Sequence, residues 1–144
     1  MSAGVQTAQM RGKVQALQEE ILKQPQVELP TEHIFHGGMY CRQVWQPAGT
    51  IIVGKVHKKE HFFMVVSGCV AVSVGEEAQE IRAPFLLTSH PGDKRAIYAI
   101  TDTLYMTIHR TDETDVAAAE DELVEYDPTC PFLVGNKLKV LPCQ

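Results

Sequence analysis

The pattern of apolar and polar positions divides the chain into three parts. Over residues 7–23, Met10, Val14, Leu17 and Ile21 recur at helical spacing and make one apolar stripe. Gly12 weakens this helix and Pro25 ends it. The stripe predicts either a helix docked on the domain or a short coiled-coil-like contact between two copies. Residues 24–32, with Pro25 and Pro30, read as a linker.

From Ile34 the period shortens. Runs of β-branched and aromatic residues alternate with Gly and Pro breaks, the pattern of a sandwich or barrel. The spacing predicts strands over 34–36, 39–46, 50–56, 61–67, 69–74, 78–82, 85–88, 95–100 and 103–109. The breaks are Gly37-Gly38, Pro47-Ala48-Gly49, Gly75-Glu76-Glu77 and Pro91-Gly92. Pro and Gly at the centre of His90–Asp93 predict a type II turn. Thr111–Glu125 reads as a second helix, with Thr111, Thr114 and Asp115 as capping candidates. The tail carries Pro128, Pro131 and Pro142 around an apolar stretch, Leu138–Leu141, expected to pack on the barrel or on a neighbouring subunit. The expected organisation is an N-terminal helix and linker over 1–32, a β-barrel over 33–110, and a C-terminal helix and tail over 111–144.

Composition narrows the function classes. A chain of 144 residues with 44% hydrophobic content is one domain with a real core. No apolar run approaches the roughly 20 residues that span a bilayer, and the N-terminus lacks the apolar block of a signal peptide. Cys41, Cys69, Cys130 and Cys143 show no C-x-x-C spacing and read as reduced thiols of a cytoplasmic protein. The net charge of -5 is uneven: residues 41–110 hold eight Lys/Arg against six Asp/Glu, and the acidity belongs to the flanks. No basic stripe with interleaved aromatics occurs, so direct nucleic-acid binding is not expected.

The candidate chemistry lies in Gly49–Gly68, GTIIVGKVHKKEHFFMVVSG. Two apolar runs flank a charged turn, Lys58-Lys59-Glu60, with His57 and His61 at its two edges. Strand-forming flanks argue against reading the pair as one face of a helix. It sits instead where one strand hands over to the next.

This stretch resembles the cupin superfamily, the RmlC-like jelly-roll barrels. The family's first motif places a glycine, two histidines, a glutamate and a second glycine on Gly49, Lys55, His57, His61 and Gly68 in turn. Lys55 therefore replaces the first histidine and His61 the glutamate. The second motif falls on Pro84, His90, Gly92, Arg95 and Ala99, where only Gly92 matches in type and Arg95 replaces the last metal-binding histidine. The wording of GTIIVGKVHKKEH, APFLLTSHPGDKRAIY and TIHRTDETD also resembles small cupin-like proteins of tailed phages and prophages, which implies a host-cytoplasm setting. The resemblance implies a single cupin-type jelly-roll β-barrel, all-β with flanking helices. A homodimer or higher oligomer is expected from the sheet edges that need cover.

Three functions follow. The first is a small-molecule-binding protein without a metal. Its cationic pocket of Lys55, His57, His61, Lys94, Arg95 and Tyr98 would take an anionic ligand, in a phage setting a nucleotide-type signal. The second is a metal-dependent enzyme of dioxygenase, isomerase or lyase type. Alternation along Leu104–His109 puts His109 on the face of Tyr105 and Thr107, so His57, His61 and His109 would hold one Fe, Zn, Ni or Mn. The third is a structural phage component without a site. Trp45, Phe62 and Phe63 are expected in the core, His33 and His36 at the surface or a strand edge, and His90 exposed at its turn.

Overall fold

The computed structural model describes residues 8–24, 26–74, 77–127 and 130. Pro25, Gly75-Glu76 and the proline-containing tail with Cys143 lie outside them. Helix α1 (Ala8–Ile21) precedes nine strands: β1 (Thr31–His36), β2 (Met39–Gln46), β3 (Ile51–Val53), β4 (His61–Ser67), β5 (Cys69–Val74), β6 (Glu77–Arg82), β7 (Phe85–Ser89), β8 (Ala96–Ala99) and β9 (Thr103–Arg110). Helix α2 (Val116–Leu123) follows.

The strands form two antiparallel sheets, in orders β1-β2-β9-β4-β7 and β3-β8-β5-β6. The expected jelly roll is present, and it is open rather than closed: the two sheets oppose one another and, among the described residues, share no ladder. Strict alternation sets their inner faces. On β9, Thr103, Tyr105, Thr107 and His109 are buried and the residues between them are half-buried. Val65, Val70 and Val72 meet between the sheets with no exposed surface. Burying a side chain of that size stabilises the fold by about 1.5–3 kcal/mol.

The same alternation corrects two core assignments. Phe63 points inward, which turns Phe62 outward, and Trp45 lies on the outer face of β2. With Ile34, Met39 and Leu86 they leave large apolar side chains exposed on the outer face of the five-stranded sheet. The facing sheet is covered differently. Met10, Val14, Leu17 and Ile21 of α1 pack on Val53 and Ala96. The helical stripe is therefore occupied within the chain, and the coiled-coil reading of it is set aside.

Three boundaries differ from expectation by three residues or more. Strand β1 starts at Thr31, because the ladder with β2 already pairs Thr31 with Val44. Strand β3 ends at Val53, and a single bond from Gly54 N to the Arg95 carbonyl (3.0 Å) continues it. Helix α2 starts at Val116, since Asp115 is its N-cap and accepts from Ala118 N at 3.0 Å. The predicted type II turn is present, with Gly92 at φ +89° and Asp93 N bonded to the His90 carbonyl. Gly68, at φ +92°, turns the chain from β4 to β5, and a Cβ there would collide with the Asp102 carbonyl oxygen. Only glycine fits that crossing.

Candidate functional site

His57 lies on a segment that is not a regular strand yet is held on both sides. Gly92 N donates to the His57 carbonyl at 2.8 Å. On the other side His57 bridges to Val124, Lys58 N donates to the Leu123 carbonyl and Glu125 N to the Val56 carbonyl. His61 opens β4, and His109 ends the inward row of β9. The three rings converge: centroids are 4.1 Å apart for His57–His61, 4.6 Å for His61–His109 and 5.5 Å for His57–His109. One ligand nitrogen from each lies within 4.8 Å of the others, so the set has the spacing of a metal site.

The environment keeps these rings neutral. Burial pushes the His57 pKa well down, with His61 and His109 beside it adding to the effect. Burial takes His61 down to about 4, although its bond to the Lys59 carbonyl resists this. Burial and the neighbouring His61 take His109 down to about 3. Neutral imidazoles carry the lone pairs that metal binding needs. His57 bonds the Lys55 backbone, and His61 Nδ1–H faces the Lys59 carbonyl at 3.3 Å. Those bonds fix the tautomer and leave Nε2 as the acceptor. His57 Nε2 is buried and has no hydrogen-bond partner. A cation at that point fits the donor set and would satisfy the orphaned nitrogen.

His57 and His61 border a cavity of about 70 Å³ between the sheets. Lys55, His57, His61 and Arg95 of the expected pocket all line it. Arg95 is buried, donates to the Ser73 carbonyl at 2.8 Å and pairs with Asp93 at 3.2 Å. Burial lowers the Arg95 pKa, and Asp93 opposes that shift. Two expected members are elsewhere. Tyr98 follows inward Ile97, so alternation turns it to the outer face beside α1. Lys94 precedes Arg95 and turns away likewise; its Nζ ends 3.0 Å from Asp127, which also accepts from Gln18 of α1.

The sequence reading missed Arg42. It belongs to the inward row of β2, with Tyr40, Val44 and Gln46, opposite Thr107 in register. It lines the cavity, lies 3.6 Å from Glu120 of α2, and its positive charge depresses all three histidine pKa values. A charged residue in phase with buried ones is the signal that would have found it. Tyr105 and Ser89, also in the lining, were not assigned a role either. His33 lies on the edge strand β1, as expected, with its ring against the Tyr40 hydroxyl at 2.5 Å. His90, expected exposed, is half-buried 3.8 Å from Asp93. Cys41, Cys69 and Cys130 are free thiols.

No protein-family model matches the chain, and no curated protein matches it by sequence. Solved structures share its architecture. An RmlC-like cupin from Shewanella frigidimarina matches at TM-score 0.53 and 16% identity, over 64% of this chain and 84% of that one. KdgF from Halomonas sp. matches at 0.53 and 12%, over 62% and 86%. The cupin domain of Cnp3 from Schizosaccharomyces pombe matches at 0.52 and 18%, over 67% and 71%. At these identities the likeness establishes the fold, a cupin-type jelly roll with two flanking helices. Among the described residues no helix is long and apolar enough to cross a membrane.

Proposed function

From a cupin fold with three converging imidazoles, we propose a metal-dependent cupin in which His57, His61 and His109 hold one divalent transition metal beside a cationic pocket for a small anionic molecule. The observation that carries the reading is the cluster itself: three ring nitrogens within 4.8 Å, on rings held neutral by burial. An all-imidazole donor set suits Fe, Ni or Zn, and Mn completes the panel for testing. Once bound, such an ion supplies Lewis-acid polarisation of a ligand oxygen and acidifies a coordinated water. The chain's own residues do the rest. The Lys55 and Lys59 carbonyls fix ring orientation, the sheets limit water, and Arg42, Lys55 and Arg95 attract negative charge. That combination supports an enzyme of dioxygenase, isomerase or lyase type acting on an anionic substrate.

The metal-free anion pocket is the second reading, favoured by Arg95 standing in the lining. Asp93 offsets the Arg95 charge at 3.2 Å, so this cation is compatible with a metal at the histidines. A phage or prophage source and a nucleotide-type signal rest on the sequence resemblance and pocket charge alone. The volume of about 70 Å³ favours a ligand much smaller than those filling the ~300–1,000 Å³ pockets of drug-sized molecules. The homodimer or higher oligomer is retained as a proposal, supported by the exposed Met39, Trp45 and Phe62, and light scattering of purified protein tests it.

Elemental analysis decides between the first two readings. The metal reading expects close to one Fe, Zn, Ni or Mn per chain, lost in His57→Ala. Protein that takes up none of these ions, with no rise in Tm when each is added, sinks it. If anions also leave Tm unchanged, the structural role remains.

A further inference from the structure

Buried donors without partners mark the next feature. Arg42 Nε, Arg95 Nε, the Tyr105 hydroxyl and the Ser89 hydroxyl each lack a hydrogen-bond partner, and all four residues line the one cavity. Tyr105 is 3% exposed, Ser89 2% and Arg95 8%. Leaving a buried polar group unsatisfied costs free energy, so four in one cavity point to something that satisfies them. They come from different elements: Arg42 and Tyr105 from neighbouring β2 and β9, Ser89 from the end of β7, and Arg95 from the run into β8 of the facing sheet.

The chemistry of the occupant follows from two balances. All four groups can donate, two of them from guanidinium ions, and an ionised carboxylate offers about four lone-pair sites with no proton of its own. In charge, Arg42, Lys55 and Arg95 stand against Asp93 in the lining and Glu120 beside Arg42. Three cations against two carboxylates leave one positive charge among neutral imidazoles. We propose that Arg42, Arg95, Tyr105 and Ser89 form a seat for the carboxylate group of a small monocarboxylic acid. The seat rests on the reading of this cavity as a ligand pocket. It does not need the metal, which would add positive charge and tighten the same anion.

Arg42 has the specificity-determining place. Its partner, Glu120, lies on α2, whereas Arg95 is held by Asp93 of the turn before β8. Tyr105 supplies a hydroxyl that hydrogen-bonds an anion without adding charge. The Phe63 ring, 5.2 Å from the Tyr105 ring, walls that side with apolar surface. The acid therefore presents its carboxylate to the guanidinium groups and a short apolar body to Phe63, Val44 and Ile97.

Calorimetric titration of acetate, propionate and inorganic phosphate into metal-stripped protein tests the seat. Acetate or propionate is expected to bind more tightly than phosphate. Arg42→Gln should weaken binding roughly 10- to 100-fold, the range of a lost charge-assisted hydrogen bond. Tyr105→Phe keeps the ring and the packing and should weaken binding about 3- to 10-fold, with Tm nearly unchanged. His57→Ala should lose metal yet still bind the acid, while Arg42→Gln should bind metal yet hold the acid more weakly by the factor just given. The two proposals thus fail separately. Wild-type protein that ignores both acids, a preference for phosphate, or undiminished binding in both Arg42→Gln and Tyr105→Phe would overturn the carboxylate seat.

Discussion

The space between the two sheets has two halves built from the same strands. On β4 the inward row reads His61, Phe63, Val65; on β9 it reads His109, Thr107, Tyr105, Thr103; on β2 it reads Tyr40, Arg42, Val44, Gln46. Toward one end the row meets Val70, Val72 and Ile81 of the facing sheet and is fully closed. Toward the other it meets Arg95 and Asp93 and encloses a cavity with orphaned donors. The difference teaches a division of labour along single strands. Apolar contact in the closed half stabilises the sandwich, and that stability lets the polar half hold desolvated imidazoles and guanidinium groups that cost free energy to bury.

The comparison can be broken from the closed half with the largest effect. Leu87 of β7 is 3% exposed within the apolar cluster, and Leu87→Ala should cost about 2–5 kcal/mol in urea unfolding. His57→Ala should do the reverse, abolishing metal uptake while leaving the fold intact. A loss of stability as large as that of Leu87→Ala would show that the two halves are not separable.

Acidity gives the next effect. The His61 pKa is about 4 in the folded chain against 6.5 for a free histidine, so between these values the unfolded chain binds more protons. His57 and His109 shift in the same direction. Their neutral burial is fully compatible with folding above the free value, and stability falls as pH drops from about 6.5 toward 4. Thermal melts across that window should show a falling Tm, flattened in His61→Gln; an unchanged slope in the variant would sink the assignment. Removal of the α2 cap is the smallest effect. Asp115→Ala should cost about 1 kcal/mol, with metal content unaltered.

Much of the fold was legible because alternation and turn chemistry agree along the chain. Strands β2, β4 and β5 begin and end where the spacing puts them, and Gly92 takes the positive φ that the Pro-Gly turn demands. The histidine cluster was legible for the same reason: His109 shares phase with Tyr105 and Thr107. Arg42 was not, since no motif marks it and its importance comes from a neighbour on another strand and from Glu120 far along the chain. Tyr98 and Lys94 are near Arg95 in sequence and not in space. One residue of displacement along an extended segment reverses the face. The open sheets escaped the reading too, as local pattern fixes strands but not which edges meet.

The segment carrying His57 is clasped between the Gly92 turn and the end of α2, through bonds to Leu123 and Val124. A chain emerging from a ribosome therefore finishes both sheets before it can finish this centre. Any truncated product stopping short of Val116 would have its nine strands but no clasp, and the imidazole of His57 would be left without its final position.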